Sequence, residues 1–242
     1  MQVHVINLDR SRQRLETFTR LNRACAEIVR FPAVDGRQVS RAVQVETGLI
    51  DADLSYPDPI LGSALSHISL WQKAADQTEP LTIAEDDAIL APNFAAEASR
   101  LMRAFDWDVI LWGWNFDAFM WTEIPNGVSR TKMQFNQDDL RANIETYRRD
   151  AVLATLIPLR HAFGIMTYSL TPAGARRLID ICLPLRNELI SFDGCGVRVH
   201  NHTIDAAMNK AYPALKSFAA FPPLAVSEND ASTSINQGKS SA

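Results

Sequence analysis

Three consecutive carboxylates, Glu85, Asp86 and Asp87, lie between the apolar stretches 81–84 and 88–90. Grouping anions at the end of a buried element costs free energy unless a cation neutralises them. Carboxylate oxygens suit Mg²⁺ or Mn²⁺, which commonly bind through one or two such ligands plus the phosphates of a substrate. Because side chains alternate along a strand, we expect Glu85 and Asp87 to share one face and hold the metal, while Asp86 points away. The competing interpretation is a solvated acidic turn that caps the next helix.

Polar side chains also gather where the first two predicted strands end. The first strand, 3–8, is followed by a loop and a helix, and the second strand, 27–34, ends in a turn. Arginine side chains bind phosphate groups through two parallel hydrogen bonds, so this edge of a sheet suits a nucleotide. The residues in these positions are Asn7, Asp9, Arg10, Arg14, Asp35 and Gly36. The alternative is that Asp9 caps the following helix and that the arginines are solvated.

Two further candidates lie on other predicted elements. His67 follows Ser66 on a predicted helix, 62–77, and is either a residue of the substrate site or a hydrogen-bonded structural histidine. Trp114 ends a predicted strand, 109–114, where it would stack on a sugar or on a nucleotide base. Buried aromatic residues more often belong to the core, so both interpretations of Trp114 stay open.

The composition describes a mildly acidic globular protein. Of 242 residues, 47% are hydrophobic, and 24 Lys and Arg stand against 28 Asp and Glu, which gives a formal net charge of −4. This balance predicts no nucleic-acid partner, because such proteins carry a basic surplus on one face. The cysteines, Cys25, Cys182 and Cys195, are odd in number and widely spaced, so they predict neither a zinc knuckle nor a disulfide framework.

Strands and helices alternate over the first two thirds of the chain, which predicts an α/β fold with a mainly parallel, Rossmann-like sheet covered by helices. Ligands of such sheets bind beyond the carboxyl ends of the strands, where the polar groups described above lie. A Pro-Asn-Gly sequence at 125–127 predicts a small β-hairpin insertion over 122–135. We expect one domain, 1–226, and a flexible tail, 227–242, that is rich in Ser, Asn and Gly.

Five stretches of the chain carry a family resemblance. They are Val-Ile-Asn-Leu-Asp-Arg-Ser at 5–11 with Arg14, Phe-Pro-Ala-Val-Asp-Gly at 31–36, Leu-Gly-Ser-Ala-Leu-Ser-His-Ile-Ser-Leu-Trp at 61–71, Ile-Ala-Glu-Asp-Asp-Ala at 83–88, and Tyr-Ser-Leu-Thr-Pro-Ala-Gly-Ala at 168–175 with Leu178. Together and in this order they resemble glycosyltransferase family 25, which includes lipooligosaccharide galactosyltransferases and collagen galactosyltransferases. Ser63 stands where the family often has Cys, and Ala84 where it often has Leu. The region after Leu183 matches poorly.

The resemblance implies a GT-A-type fold, a UDP-sugar donor and inversion at the anomeric carbon. It makes Glu85, Asp86 and Asp87 the counterpart of a metal-binding Asp-x-Asp motif, with Mn²⁺ or Mg²⁺ held by Glu85 and Asp87. The residues assigned to the donor are Asn7, Asp9, Arg10, Arg14, Asp35, Gly36, Ser66, His67, Asp86 and Trp114. In the expected reaction a sugar, which the resemblance suggests is galactose, is moved onto a cell-surface glycan or a lipid-linked oligosaccharide acceptor.

An inverting transfer needs a general base on the acceptor side, normally Asp or Glu. The metal-binding triplet lies on the diphosphate side, so we expect the base in the C-terminal third of the chain. Asp205 is the candidate because it lies at the start of a predicted helix, 203–212, whose dipole favours an ionised carboxylate. The reserve candidates are Asp193, Glu188 and Asp117.

Two other functions use the same residues. A metal-dependent phosphohydrolase would need a set of His and Asp residues converging on two metals, for which His200 and His202 are available. A non-catalytic nucleotide-sugar-binding protein would keep the fold and lack the base. In the glycosyltransferase hypothesis, His202 would complete the metal site. The alternative interpretation of Asp205 is a structural carboxylate in the first turn of a helix.

The N-terminal sequence predicts a cytoplasmic location. Its short apolar stretch, 3–8, meets Asp9 and Arg10 at once, unlike the unbroken apolar region of a signal peptide. The longest apolar-rich run, 151–159, is too short to span a bilayer. A lipid-linked acceptor would then require peripheral contact with the inner membrane.

Overall fold

The computed structural model describes residues 1–192 and 194–229. The reserve candidate Asp193 and the predicted tail from residue 230 onward lie outside the described residues. The strands are β1 (Gln2–Asn7), β2 (Glu27–Pro32), β3 (Leu81–Glu85), β4 (Ile89–Leu90), β5 (Val109–Gly113), β6 (Phe119–Ile124), β7 (Ser129–Gln134), β8 (Thr155–His161), β9 (Thr167–Leu170), β10 (Leu189–Phe192), β11 (Val197–His200), β12 (Ser217–Phe221) and β13 (Ala225–Val226). The helices are α1 (Arg12–Asn22), α2 (Arg41–Glu46), α3 (Asp58–Asp76), α4 (Phe94–Ala104), α5 (Gln137–Ala142), α6 (Ile144–Arg149), α7 (Pro172–Cys182) and α8 (Ile204–Met208).

Within the described residues, nine strands form one sheet in the order β2-β1-β3-β9-β5-β12-β8-β6-β7. The pairs β1–β2, β1–β3 and β5–β12 are parallel, and β9 lies antiparallel between β3 and β5. When the pairings are followed across the sheet, six strands run in one direction and β9, β8 and β7 run in the other. The predicted α/β fold with a mostly parallel sheet is therefore confirmed.

Helices cover both faces of this sheet. One face packs against α3, α7 and α8, and the other packs against α1 and α4. Strand β5 is buried along its whole length, as expected for a central strand with helices on both sides. Phe94 of α4 is fully buried, which contributes about 2–3 kcal/mol relative to an exposed side chain.

Some predicted elements differ from the structure. The predicted helix over 138–149 is divided into α5 and α6 at Asn143, whose side chain donates to the carbonyl of Asp139 at 2.8 Å. Asparagine favours such local hydrogen bonds over a continuous helix. The predicted strand over 163–170 begins only at Thr167, because the preceding residues form a loop. The predicted hairpin is present as β6–β7 and extends the main sheet through β8.

Among the residues that the structure describes, no helix is both long enough and apolar enough to cross a bilayer.

Candidate active site

The acidic triplet lies where β3 ends beside β1. These strands pair in parallel with Ile6 opposite Glu85, so their carboxyl ends meet at the same edge of the sheet. The strand ends at Glu85, and Asp86 and Asp87 lie in a turn that the amide of Ala88 closes by donating to the carbonyl of Glu85 at 3.2 Å. The turn, rather than strand alternation, therefore separates the three side chains.

The carboxylate of Asp86 accepts hydrogen bonds from the end of β1 and from α1. Its Oδ2 accepts a 2.6 Å hydrogen bond from Nδ2 of Asn7, and its Oδ1 accepts one of 2.8 Å from Nε of Arg14. Its side chain is only 8% exposed. Asp86 thus points away from Glu85 and Asp87, and it joins β3 to β1 and α1.

Glu85 and Asp87 instead line two adjoining cavities. The first cavity has a volume of about 150 Å³, and the second has a volume of about 250 Å³. Residues that line both cavities are Ser63, Glu85, Asp87 and Asn229. The predicted donor residues that line the first cavity are Arg10, Arg14, Asp35, Gly36, Ser66, His67 and Asp86. The second cavity is also lined by Asn115, Gly164, Thr203 and Asp205.

The carboxylate of Asp87 is in an unfavourable electrostatic environment. The pKa of Asp87 is raised from 3.8 to about 6, first by burial among protein atoms and then by the charge of Glu85. Asp87 retains exposed surface at the junction of the cavities, but the surrounding walls limit its solvation. Ser227 opposes the shift by donating to Oδ2 of Asp87 at 3.2 Å. A cation bound at this point would offset the repulsion between the two carboxylates.

The donor set fits a hard divalent cation only in part. Among the described residues there is no group of three or more His, Cys, Asp or Glu side chains arranged to hold a metal ion. Mg²⁺ and Mn²⁺ sites in many enzymes use one or two carboxylates and take the remaining oxygens from substrate phosphates and water. Glu85 and Asp87 therefore fit a metal that binds together with a phosphate ligand, and not a closed structural site.

Close backbone packing shapes the wall around Gly36. A Cβ at Gly36 would lie 1.7 Å from the carbonyl oxygen of Asp58, so only glycine fits against the start of α3. The hydroxyl of Ser66 accepts a 2.9 Å hydrogen bond from the amide of Val34 and donates one of 2.7 Å to the carbonyl of Gly62. Gly36 and Ser66 thus fix the position of the loop on the helix.

Charged pairs form the outer wall of the first cavity. Arg10 pairs with Asp35, whose Oδ1 also accepts a 3.2 Å hydrogen bond from the amide of Arg37. Asp9 differs, because its carboxylate is 85% exposed, pairs with Arg30 and does not line either cavity. The structure therefore places Arg10 and Asp35 at the cavity and Asp9 outside it.

His67 is fully buried beside Glu85. Its Nε2 lies 3.4 Å from Oε1 of Glu85, and its Nδ1 lies 2.9 Å from the hydroxyl of Tyr168. Trp71, one helical turn further along α3, donates to the same hydroxyl at 2.8 Å. From the sequence, Trp71 is a candidate for stacking on a sugar or a base that is more often a core residue, and Tyr168 has no assigned role although it lies in one of the family motifs.

Asp205 lines the second cavity. Its Oδ2 accepts a 2.9 Å hydrogen bond from the amide of Gly164, and its Oδ1 accepts one of 3.0 Å from the amide of Ala206. Gly164 has a φ of +83°, and a Cβ there would lie 2.3 Å from Oδ1 of Asn115. These contacts hold Asp205 firmly in the second cavity, whereas Arg10 and Arg14, which follow β1, line only the first cavity.

The other candidates for the base and the metal lie elsewhere. Glu188 pairs with Lys210 at 2.7 Å and lines neither cavity, and Asp117 accepts a 2.8 Å hydrogen bond from Asn229 at the surface. The residues His200 and His202, which stack on each other with ring centroids 5.4 Å apart, line neither cavity either.

Trp114 is buried in the core. It is 1% exposed and packs against Phe116 and Phe135, so the structure does not place it with the other donor candidates. Its neighbour Asn115 faces the second cavity instead. Consecutive side chains of an extended segment point to opposite sides, so Asn115 faces the cavity while Trp114 faces the core.

The segment Ser227–Asn229, the start of the predicted tail, reaches the cavity junction. Strand β13 pairs with β4, with Val226 opposite Ile89, and this pairing brings Ser227 to Asp87. Gln137 of α5 donates to the carbonyl of Ser227 at 3.1 Å and holds the segment in place. The sequence contains no motif that predicts this contact, because it depends on pairing between very short strands.

Comparison with known proteins adds a family match. The family model described as "Glycosyltransferase family 25 (LPS biosynthesis protein)" matches residues 1–195. A glycosyltransferase 25 family member of Aedes aegypti is 30% identical over 125 residues, and one of Drosophila melanogaster is 31% identical over 127 residues. Each match covers 46% of this chain and 21% of the relative, so the chain spans about a fifth of those proteins.

One solved structure that resembles the chain does so only distantly. The inositol-1-phosphate CTP transferase of T. maritima is 12% identical, with a TM-score of 0.39 over 93% of this chain and 88% of that one. A similarity at this level supports no conclusion about function.

Proposed function

The chain belongs to glycosyltransferase family 25, and we propose that it is an inverting, metal-dependent glycosyltransferase that moves a sugar from a UDP-sugar to an acceptor hydroxyl. The observation that carries the proposal is the junction of the two cavities at Glu85 and Asp87. A two-substrate transfer needs a donor site and an acceptor site that meet at the reacting carbon. The two cavities supply such an arrangement, with the carboxylates at their boundary.

The first cavity is the proposed donor site. Glu85 and Asp87 would hold Mn²⁺ or Mg²⁺ together with the diphosphate, and the metal would stabilise the charge that develops on the leaving nucleoside diphosphate. Arg10 and Arg14 line the same cavity and offer guanidinium groups toward phosphate oxygens. Arg14 is also held by Asp86, so its side chain is already oriented before a ligand binds.

The second cavity is the proposed acceptor site. In an inverting transfer the acceptor attacks the anomeric carbon from the side opposite the leaving group, and a carboxylate removes its proton. Asp205 lines this cavity, and the first-cavity residues Arg10 and Arg14 do not. Asp205 would accept the hydroxyl proton while the amides of Gly164 and Ala206 fix its orientation.

The identity of the substrates is part of the proposal. The description of the matching family names LPS biosynthesis, which supports a cell-surface glycan or a lipid-linked oligosaccharide as the acceptor. Galactose is the proposed sugar, by resemblance to the family's galactosyltransferases. For a lipid-linked acceptor the proposal places the protein in the cytoplasm, in peripheral contact with the inner membrane.

A phosphohydrolase finds less support in the geometry. That reaction would need several His and Asp side chains around two metals, and His200 and His202 line neither cavity. A nucleotide-sugar-binding protein without catalysis is distinguished by experiment, because it would bind the donor and produce no transfer.

The test is a thermal-shift screen of UDP-, GDP- and CMP-sugars with and without Mn²⁺, followed by assays of donor hydrolysis and transfer. We expect stabilisation by a UDP-sugar that requires Mn²⁺ and that Asp87→Asn removes. Asp106→Asn, which changes an exposed carboxylate paired with Lys216, is the matched control and should keep the response. Stabilisation by no nucleotide sugar, with or without metal, would contradict the proposal.

A further inference from the structure

A buried chain of polar contacts leads from the core to Glu85. Trp71 donates to the hydroxyl of Tyr168 at 2.8 Å, and that hydroxyl lies 2.9 Å from Nδ1 of His67. The other ring nitrogen of His67, Nε2, faces Oε1 of Glu85 at 3.4 Å. Trp71 and Tyr168 are fully buried and His67 is 1% exposed, so solvent does not reach these groups.

The direction of each hydrogen bond follows from the donors available. The indole of Trp71 can only donate, so the oxygen of Tyr168 is the acceptor of that bond. The hydroxyl proton of Tyr168 then has Nδ1 of His67 as its acceptor. If Nδ1 carried a proton as well, two donors would face the tyrosine oxygen, and its own buried proton would have no acceptor. Nδ1 therefore accepts, and the proton of the neutral imidazole lies on Nε2.

Burial keeps Tyr168 in its protonated form. Desolvation raises the pKa of Tyr168 far above its usual value of 10.0, so the hydroxyl keeps its proton near neutral pH. Trp71 and Tyr168 thus fix the direction of these hydrogen bonds, and neither side chain changes charge near neutral pH.

We propose that Tyr168 and Trp71 are positioning residues of the active site, which hold His67 in the tautomer that presents Nε2–H to Glu85. His67 then holds one carboxylate oxygen of Glu85 and leaves the other for the ligand at the cavity junction. Nε2 of His67 is buried and makes no hydrogen bond among the described residues, and Oε1 of Glu85 lies 3.4 Å away. The proposed hydrogen bond therefore requires Glu85 to move slightly closer when the site binds its ligand. This inference deepens the proposed function and rests on it for the ligand of Glu85.

The fold explains why these residues meet. His67 and Trp71 are four residues apart on α3 and therefore share one face of the helix. Tyr168 lies on β9, which pairs with β3 so that Tyr168 is opposite Ile83, two residues before Glu85. The helix, the antiparallel strand and the acidic triplet are thus joined by side-chain contacts and not only by packing.

The adjacent residue offers a matched control. Ser169 is buried like Tyr168, and its hydroxyl accepts a 2.7 Å hydrogen bond from the indole of Trp112 and shares another of 2.7 Å with the hydroxyl of Thr82. Trp112 belongs to the apolar cluster on the opposite face of the sheet from Tyr168. Ser169→Ala therefore removes the same kind of buried contact with an indole, away from both cavities.

The first measurement is the tautomer of His67 in protein labelled with ¹⁵N-histidine, with the His67 signals assigned by their loss in His67→Gln. We expect the Nε2–H form in the wild type and in Ser169→Ala. Tyr168→Phe should convert it to a mixture or to the Nδ1–H form. An Nδ1–H form in the wild type, or an unchanged tautomer in Tyr168→Phe, would overturn the proposal.

The second measurement is Mn²⁺ affinity in the presence of UDP, which requires no turnover. Tyr168→Phe should weaken it by about 10–100-fold, the usual effect of losing a group that orients a metal ligand. Ser169→Ala should bind as the wild type does, and an equal loss in both variants would reduce Tyr168 to a structural role.

A second pair of variants covers the case in which Tyr168→Phe does not fold. His67→Gln places an amide N–H near the position of Nε2, and it should retain more Mn²⁺ affinity than His67→Leu. Equal affinities would contradict the role of Nε2–H. A wild-type protein that binds no Mn²⁺ with UDP and transfers no sugar would refute the proposed function, while the tautomer measurement still decides the role of Tyr168.

Discussion

Asn7 donates a 2.6 Å hydrogen bond from its side-chain amide to Oδ2 of Asp86, a residue 79 positions later in the chain. The other oxygen of Asp86 accepts a hydrogen bond from Arg14, so each oxygen of this carboxylate has a hydrogen-bond donor within the protein. Glu85 and Asp87, its neighbours in the sequence, instead face the cavity junction. One triplet therefore contains a structural carboxylate between two candidate ligands.

This difference predicts opposite effects for two isosteric substitutions. Asp86→Asn should lower the free energy of unfolding by about 1–3 kcal/mol, because Arg14 loses a charged partner. Asp87→Asn should leave the free energy of unfolding unchanged or raise it, and should abolish Mn²⁺-dependent binding of a UDP-sugar. Urea denaturation and thermal-shift titration measure the two quantities, with Asp106→Asn as the exposed control. If Asp87→Asn and Glu85→Gln both keep metal-dependent binding, the metal does not bind at this junction.

The raised pKa of Asp87 predicts a pH dependence of stability in metal-free protein. Its pKa in the folded state is about 6, against an ordinary value of 3.8, so the folded state binds more protons than the unfolded state between these values. Stability from this group is therefore present below pH 3.8 and is lost as the pH rises through about 6. The difference in Tm between wild type and Asp87→Asn, measured with a chelator present, should move against the wild type across this window. Parallel Tm curves for the two proteins would show that Asp87 is not perturbed.

Much of the donor side could be predicted from the sequence. Parallel strands end at the same edge of a sheet, so the residues after the first strand and the acidic triplet were expected to converge. That reasoning places Arg10, Arg14 and Asp35 at the first cavity, where the structure has them. Asp9 instead turns away from both cavities to pair with Arg30, because a position near a strand end does not determine which way an exposed side chain turns.

The acceptor side depended on contacts that a local pattern does not encode. Gly164 has a φ of +83° and donates to Asp205, which lies 41 residues later. The positions of the loop before β9 and of α8 therefore depend on each other. Ser227 reaches Asp87 through pairing of two-residue strands. Short strands have little periodicity, and their partners are set by the rest of the fold.

Asp9 and Arg10, two neighbouring residues of the loop after β1, are expected to differ in their effect on donor binding. Arg10 lines the first cavity, whereas Asp9 is outside it and pairs with Arg30. Arg10→Ala should therefore raise the donor KM by several-fold with a smaller change in kcat, because it removes binding that the ground state and the transition state share. Asp9→Ala should change the donor KM less. Steady-state kinetics with varied UDP-sugar test this order, and a larger effect from Asp9→Ala would return that residue to the donor site.

The hydrogen bonds of Asp205, the proposed general base, limit how its role can be tested. Asp205→Asn keeps the shape of the side chain, but one carboxylate oxygen becomes an amide that cannot accept from both Gly164 and Ala206. Some loss of stability is therefore expected, about 1–3 kcal/mol.

Catalysis should suffer more than stability in this variant. Removing a general base typically costs about 10²–10⁴-fold in rate, so kcat for transfer should fall by that order. Donor binding and slow donor hydrolysis should persist, since neither needs a base directed at the acceptor. Glu188→Gln is the matched control, because Glu188 pairs with Lys210 and lines neither cavity. A near wild-type kcat in Asp205→Asn would remove Asp205 from the mechanism and direct the search to Asp117 and Asp193.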